Sequence, residues 1–289
     1  MLYDCIVTYL SSLKNLFTDD DLRLISQLAK KQNTIEKKWK NKFKDYAQKE
    51  TEKIVKKAIK TGGLDCSSID YSELLIEHKL DVTVQAFNQS KKTPAKSSLA
   101  GKAKTRGIIE KIRQQYNNYK KKKKLPKDLQ QKAKELKRDY IKKLQEAYQR
   151  YSEDFRSGEV VSQEELVNRI KDAVGAGPGR ATTIVNTETT RYYNDTRKEF
   201  YDDLDAVTHY LFVCIRDLRT TKWCKTRDKL VYEKTSFYLD RETPPVHWNC
   251  RSELLPLTME NPEHARYIRS KSRARKNNSP EPLPKGWNK

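Results

Sequence analysis

Long apolar runs are missing from this 289-residue chain: no segment approaches the ~20 consecutive apolar residues that a membrane-crossing helix needs, so no membrane partner is expected. Histidine is scarce too. Four scattered histidines are too few for an HNH-like nuclease centre, and the His-x-Glu with Pro-Cys-x-x-Cys of the zinc deaminases is absent. Cysteine is limited to Cys5, Cys66, Cys214, Cys224 and Cys250, an odd and irregular set that argues against a secreted disulfide framework and for a reducing compartment. The first residues, Met1-Leu2-Tyr3-Asp4-Cys5, carry an acid where a signal peptide carries lysine, so no secretory signal is expected. Gly175-Ala176-Gly177-Pro178-Gly179 lacks the Gly-Lys-[Ser/Thr] ending of a phosphate loop and reads as a turn between helices.

Acidic residues are also in deficit. Lys and Arg outnumber Asp and Glu by 60 to 39, and the surplus is concentrated: 21 basic against 5 acidic residues between 91 and 150, and 8 against 2 from 261 to 289. A field of this sign recruits polyanions, with duplex DNA the commonest candidate. Phosphate contacts are expected from Lys120, Lys121, Lys122, Lys123 and Lys124 and from Arg266, Arg269, Lys271, Arg273, Arg275 and Lys276, without sequence preference and with strong salt sensitivity. The interleaved Tyr116, Tyr119, Tyr140, Tyr148 and Tyr151 read as packing between helices before base stacking.

What is present is mostly helical. After Asp19-Asp20-Asp21, the pattern through Leu22, Ile25, Leu28, Ile35, Trp39, Phe43 and Ile54 to Gly62-Gly63 predicts one or two long helices, with a second region over about 70–88. Lys91 to Arg106, with Pro94 and Gly101, reads as a basic linker. A basic helical hairpin follows over 107–160, its corner at Lys120–Lys124 and Pro126. Ser162-Gln163-Glu164-Glu165 is a capping box opening a short helix, and another helix runs from about Arg180 to Asp203. From His209 to Ile215 the period changes to that of a strand, with two more short strands at Lys229–Tyr232 and Ser252–Leu255. The predicted fold is mostly α with a small C-terminal α+β module. It comprises an N-terminal helical region (1–90), a linker (91–106), the hairpin (107–160), a small antiparallel sheet packed on a helix (161–257) and a disordered basic tail (258–289).

The chemistry concentrates in that module. Pro244-Pro245 makes a rigid turn before His247-x-x-Cys250, and Cys224 lies a strand and a loop earlier. Zinc prefers four Cys or His ligands in a tetrahedron, and Cys224, His247 and Cys250 supply three, with Asp217, Asp228, His209 or Cys214 as fourth. The plainer alternative makes both cysteines small buried apolar residues, with His247 bonded to a backbone carbonyl. A catalytic use, Cys250 activated by His247, needs an aim that turn spacing alone does not provide. Glu188 and Arg191, one helical turn apart, read as an ion pair fixing the helix to the sheet.

The ordered series Thr187-Glu188 with Arg191 and Asn194, Asp217-x-Arg219-Thr220, Cys224, Arg227-Asp228-Lys229-Leu230-Val231-Tyr232, and Pro244-Pro245-x-His247-x-Asn249-Cys250-Arg251 resembles the phage head-morphogenesis proteins typified by the Mu F protein. The resemblance spans about residues 160–257. Where this chain has Thr221, Lys229 and Ser252, many members have cysteine, glycine and cysteine. Membership implies a virion component at the portal vertex of the head, met in the host cytoplasm during assembly. It also implies partners among portal, major capsid or scaffolding proteins, and in some relatives a link to DNA packaging or ejection. The reading drawn from these residues and the resemblance together is a protein that acts by binding, without turnover, with no cofactor unless Cys224, His247 and Cys250 hold a structural zinc. The alternative from another class is a metal-dependent nucleic-acid enzyme built on Cys224, His247 and Cys250.

Overall fold

The computed structural model describes residues 19–91, 99–157, 162–175, 180–274, 282–285 and 287. Helix α1 (Asp19–Thr61) is followed by α2 (Ser72–Ser90), α3 (Leu99–Lys122), α4 (Lys127–Arg156), α5 (Gln163–Gly175) and α6 (Arg180–Asp202). Then come β1 (Val207–Val213), α7 (Lys222–Arg227), β2 (Val231–Glu233), α8 (Leu239–Glu242), β3 (Glu253–Thr258) and α9 (Pro262–Ala274). No helix among the described residues is long and apolar enough to cross a membrane.

Two compact units are built from interleaved segments: one from the residues up to Glu36, Lys79–Arg113 and Asn186 onward, the other from Lys37–His78 and Gln114–Val185. The second is all helical. Ile54, Val55 and Ala58 of α1 continue the buried stripe of Trp39, Phe43 and Ala47, at the spacing that keeps one helix face inward. Gly62, with φ of 78°, closes α1 by donating its N–H to the Ala58 carbonyl. The hairpin of α3 and α4 turns at Lys123, also left-handed at φ 52°. Tyr119 and Tyr140 are buried in this unit, and the Tyr140 hydroxyl lies 2.7 Å from Thr51 Oγ1. They are packing residues, as their spacing predicts. Ser162 Oγ accepts the Glu165 N–H at the start of α5, one half of the expected capping box.

The first unit holds the sheet, antiparallel in the order β2-β1-β3, with Tyr210 opposite Tyr232 and Pro256. Alternation along β1 sends Tyr210 and Phe212 to one face and Leu211 and Val213 to the other, and both faces are buried. On the first face lie Phe200 and Tyr201 of α6 with Cys214, Cys224, Val246 and Cys250, joined by Phe87 of α2 and Ile109 of α3. On the second lies Ile268 of α9, with Tyr267 beside it.

Two stretches differ from expectation. The segment read as linker is helical from Leu99, where Ala100 and Ala103 favour a helix beyond the reach of Pro94; residues 92–98 lie outside those described. The segment read as a tail from 258 begins with the helix α9, whose Ala265 and Ile268 are buried; residues 275–281 are outside the description. Ala265 and Ile268, three apart, are enough to seat one face of a charged helix on the sheet.

Lys229, just before β2, has φ of 65°. A side chain there costs about 1–2 kcal/mol relative to the right-handed region, and glycine escapes it. Lys229→Gly is therefore expected to stabilise the protein by about 0.5–1 kcal/mol after the added freedom of the unfolded chain is subtracted. Urea unfolding checks this, and a lower midpoint for the variant would contradict it.

Candidate functional site

Helix α6 provides the scaffold. Thr187, Thr190 and Asn194 recur at i, i+3 and i+7, so they share one face, and each holds the backbone that leads into β3. Thr187 Oγ1 accepts the Asn249 N–H at 3.0 Å, and Thr190 Oγ1 donates to the Cys250 carbonyl at 2.6 Å while accepting from Gln32. Asn194 Nδ2 donates to the Ser252 carbonyl at 3.1 Å, and its Oδ1 accepts the Leu254 N–H at 3.0 Å. Asn249, at φ 57°, takes the left-handed bend that asparagine tolerates well. The result is that Cys250 is held at a fixed depth below α6.

Glu188 and Arg191 form the expected i, i+3 pair, with Arg191 Nε 3.4 Å from Glu188 Oε2. Nearly two turns further along α6, Arg197 and Glu253 form a pair at 2.8 Å in which both side chains are almost wholly buried. Burial raises the Glu253 carboxyl and Arg197 opposes that rise.

On the opposite side of Cys250, Arg251 grips Asp217 with two nitrogens, at 2.8 and 2.7 Å. Those bonds lower the Asp217 carboxyl to about 2. A depressed carboxyl contributes stability above its unfolded value, and this is lost as pH falls toward about 2. Asp217 also accepts the Arg219 N–H, and Thr220 closes the same turn. Asp228 takes the Cys214 N–H at 3.1 Å and Arg216 Nε at 2.7 Å. Both aspartates are thus occupied in holding the loop between β1 and α7.

That loop delivers Cys224 on α7, and the turn of Pro244-Pro245, whose peptide bond is cis, delivers His247 and Cys250. Cys224 Sγ lies 3.0 Å from His247 Nε2 and 3.7 Å from Cys250 Sγ, and the three donor atoms all fall within 4.8 Å of one another. All three side chains are buried, Cys250 completely. His247 Nδ1 lies 2.6 Å from the Trp248 carbonyl, which places a proton on Nδ1 and turns Nε2 toward the sulfurs. Burial opposes ionisation of Cys250, yet hydrogen bonds from Cys224 and His247 hold its thiol well below the ordinary range. The bond to Cys250, then burial, push the Cys224 thiol up.

None of the four side chains considered as a further ligand joins this cluster among the described residues. Asp217 and Asp228 are engaged as above, and His209 Nδ1 lies 2.9 Å from Thr208 Oγ1 on β1. Cys214 belongs to the same buried core, its thiol pushed up by burial and by Asp228. The neighbour that spacing missed is Ser252, whose hydroxyl lies 3.1 Å from Cys224 Sγ. Its place two residues after Cys250, in the segment that leads into β3, was the available signal.

Residues 150–255 match the family described as phage Mu protein F like protein. The chain carries a Mu F-like module. The match covers a little over a third of the chain and makes that segment similar to the phage Mu protein F like proteins. Comparison with curated proteins and with solved structures gave no match. The residues that define the Mu F-like resemblance are those that build the site: α6 clamps the strand, Asp217 holds Arg251, and Pro244 and Pro245 set the turn.

The basic residues fall in two places, each considered alone. Lys120–Lys124 are all exposed at the corner between α3 and α4; Lys120 is bonded to Glu73, and Lys123 lies over the Tyr119 ring. On α9, Arg266 and Arg269 are exposed, Arg266 pairs with Glu263 and Lys271 lies over Tyr267. The Arg273 side chain, Arg275 and Lys276 lie outside the described residues.

Proposed function

We propose that the protein is a minor head component that acts by binding, docking through its helices on the portal or the inner capsid and touching the packaged genome through its basic segments. The Mu F-like module carries this reading. Two features of the molecule support the finer parts of it. The exposed lysine corner offers several cations that a phosphate backbone can neutralise without base contacts. The burial of Cys224, His247 and Cys250 supports a structural use of these side chains over turnover of a nucleic acid, because a phosphodiester cannot approach atoms so enclosed.

The experiment is assembly of heads with a tagged chain, followed by quantification of the chain against the major capsid protein and crosslinking to the portal. A few copies per head, crosslinked to portal subunits, is the expected result. Heads that form and package DNA normally without incorporating the chain would overturn the proposal.

A further inference from the structure

We propose that Cys224, His247 and Cys250 bind one zinc ion, with the fourth coordination position beside Ser252. The distances carry the assignment. In a tetrahedral site with Zn–S of about 2.3 Å, two sulfurs stand about 3.8 Å apart. Cys224 and Cys250 stand 3.7 Å apart, an edge of that tetrahedron already in place. The sulfur–nitrogen edge is about 3.5 Å by the same geometry, so the 3.0 Å between Cys224 and His247 Nε2 opens by about half an ångström on binding. His247 is prepared for this: its Nδ1 is committed to the Trp248 carbonyl, the outer bond that commonly fixes a zinc-binding imidazole and directs Nε2 to the metal.

The fourth position has a place as well. A pocket of about 20 Å³ is lined by Cys224, His247, Ser252 and Thr220, among others. That is room for one water-sized ligand, next to a Ser252 hydroxyl already 3.1 Å from Cys224 Sγ. Charge supports zinc over a harder cation. Two thiolates neutralise a divalent ion, so the buried site carries no net charge, and sulfur donors select a thiophilic metal over magnesium or calcium. Binding leaves two thiolates and a neutral imidazole as ligands, so any proton still on the cluster's sulfurs passes to solvent. The role is structural: the ion ties α7, the diproline turn and the start of β3 together in a sheet of only three strands.

The test uses the full chain without a histidine tag, purified under reducing conditions, loaded with zinc and dialysed before elemental analysis. One zinc per chain is expected, and cobalt in its place should give thiolate-to-metal charge transfer with the intense visible bands of a tetrahedral site. Cys250→Ser should lose the ion, whereas Cys66→Ser should keep it. Because Cys250→Ser risks misfolding, Ser252→Cys provides the opposite test: a third thiolate at the fourth position should strengthen zinc binding at least about tenfold in competition with a chelator. A folded wild-type chain that retains no zinc, or one that retains it equally in Cys250→Ser, would overturn the site. A folded Ser252→Cys chain with unchanged affinity would overturn the fourth position.

Discussion

Replacing Glu242 by alanine is expected to remove about 3–5 kcal/mol of stability, the cost of leaving a buried charge without its partner. Arg227 and Glu242 are each about 1% exposed, and Arg227 Nε meets Glu242 Oε2 at 2.5 Å. The guanidinium also donates to the Trp223 carbonyl, while the carboxylate accepts from Arg241 at its other oxygen. The alanine removes the carboxylate but leaves the cation in the core, where water cannot replace what was lost. Replacing both together, Arg227→Met with Glu242→Leu, should recover most of the loss, because neither charge then remains to be desolvated. Urea unfolding of the full chain measures all three proteins. A midpoint shift for Glu242→Ala equivalent to less than about 1 kcal/mol would show the pair to be dispensable. The pair also has a local consequence: Arg227 ends the helix that carries Cys224, and Glu242 ends the helix just before the diproline turn. Both arms of the site hang from it, so the alanine variant should weaken the proposed zinc site along with stability.

The second large effect is on the proposed contact with DNA. Neutralising Lys121, Lys122, Lys123 and Lys124 with glutamine should lower the slope of log affinity against log salt by about 3.6, as four phosphate contacts disappear. Between about 50 and about 200 mM salt, the advantage of the unmodified protein should then shrink by about 150-fold. The folded state should be unaffected, since all four side chains are exposed. Binding isotherms on duplexes of unrelated sequence give the slope directly. An unchanged slope would take the lysine corner off the DNA, and a slope that depends on sequence would contradict phosphate-only contact.

The helices were legible because their punctuation is local. Gly62, Pro126 and Ser162 stand at boundaries where backbone geometry demands them, and the apolar stripe of α1 needs only the helical repeat to be seen. Helix α9 was hidden because its composition is that of a solvated tail and its seat depends on a sheet made elsewhere. The same division holds at the site. Spacing around the diproline brought Cys224, His247 and Cys250 together, but their company depends on contacts far apart in sequence. Thr190 meets the Cys250 carbonyl across 60 positions, and Arg227 meets Glu242 across 15. Charged residues such as these read as surface until the fold closes over them.

The shared core of the first unit has a consequence for inheritance. Phe87 and Ile109 complete one face of the sheet, Ile268 the other, and Gln32 bonds the threonine that holds Cys250, yet all four lie outside residues 150–255. A gene segment that encoded only those residues would arrive in a new genome with both faces of its sheet partly bare. A sheet covered on both faces therefore needs helices that precede the module as well as the one that follows it.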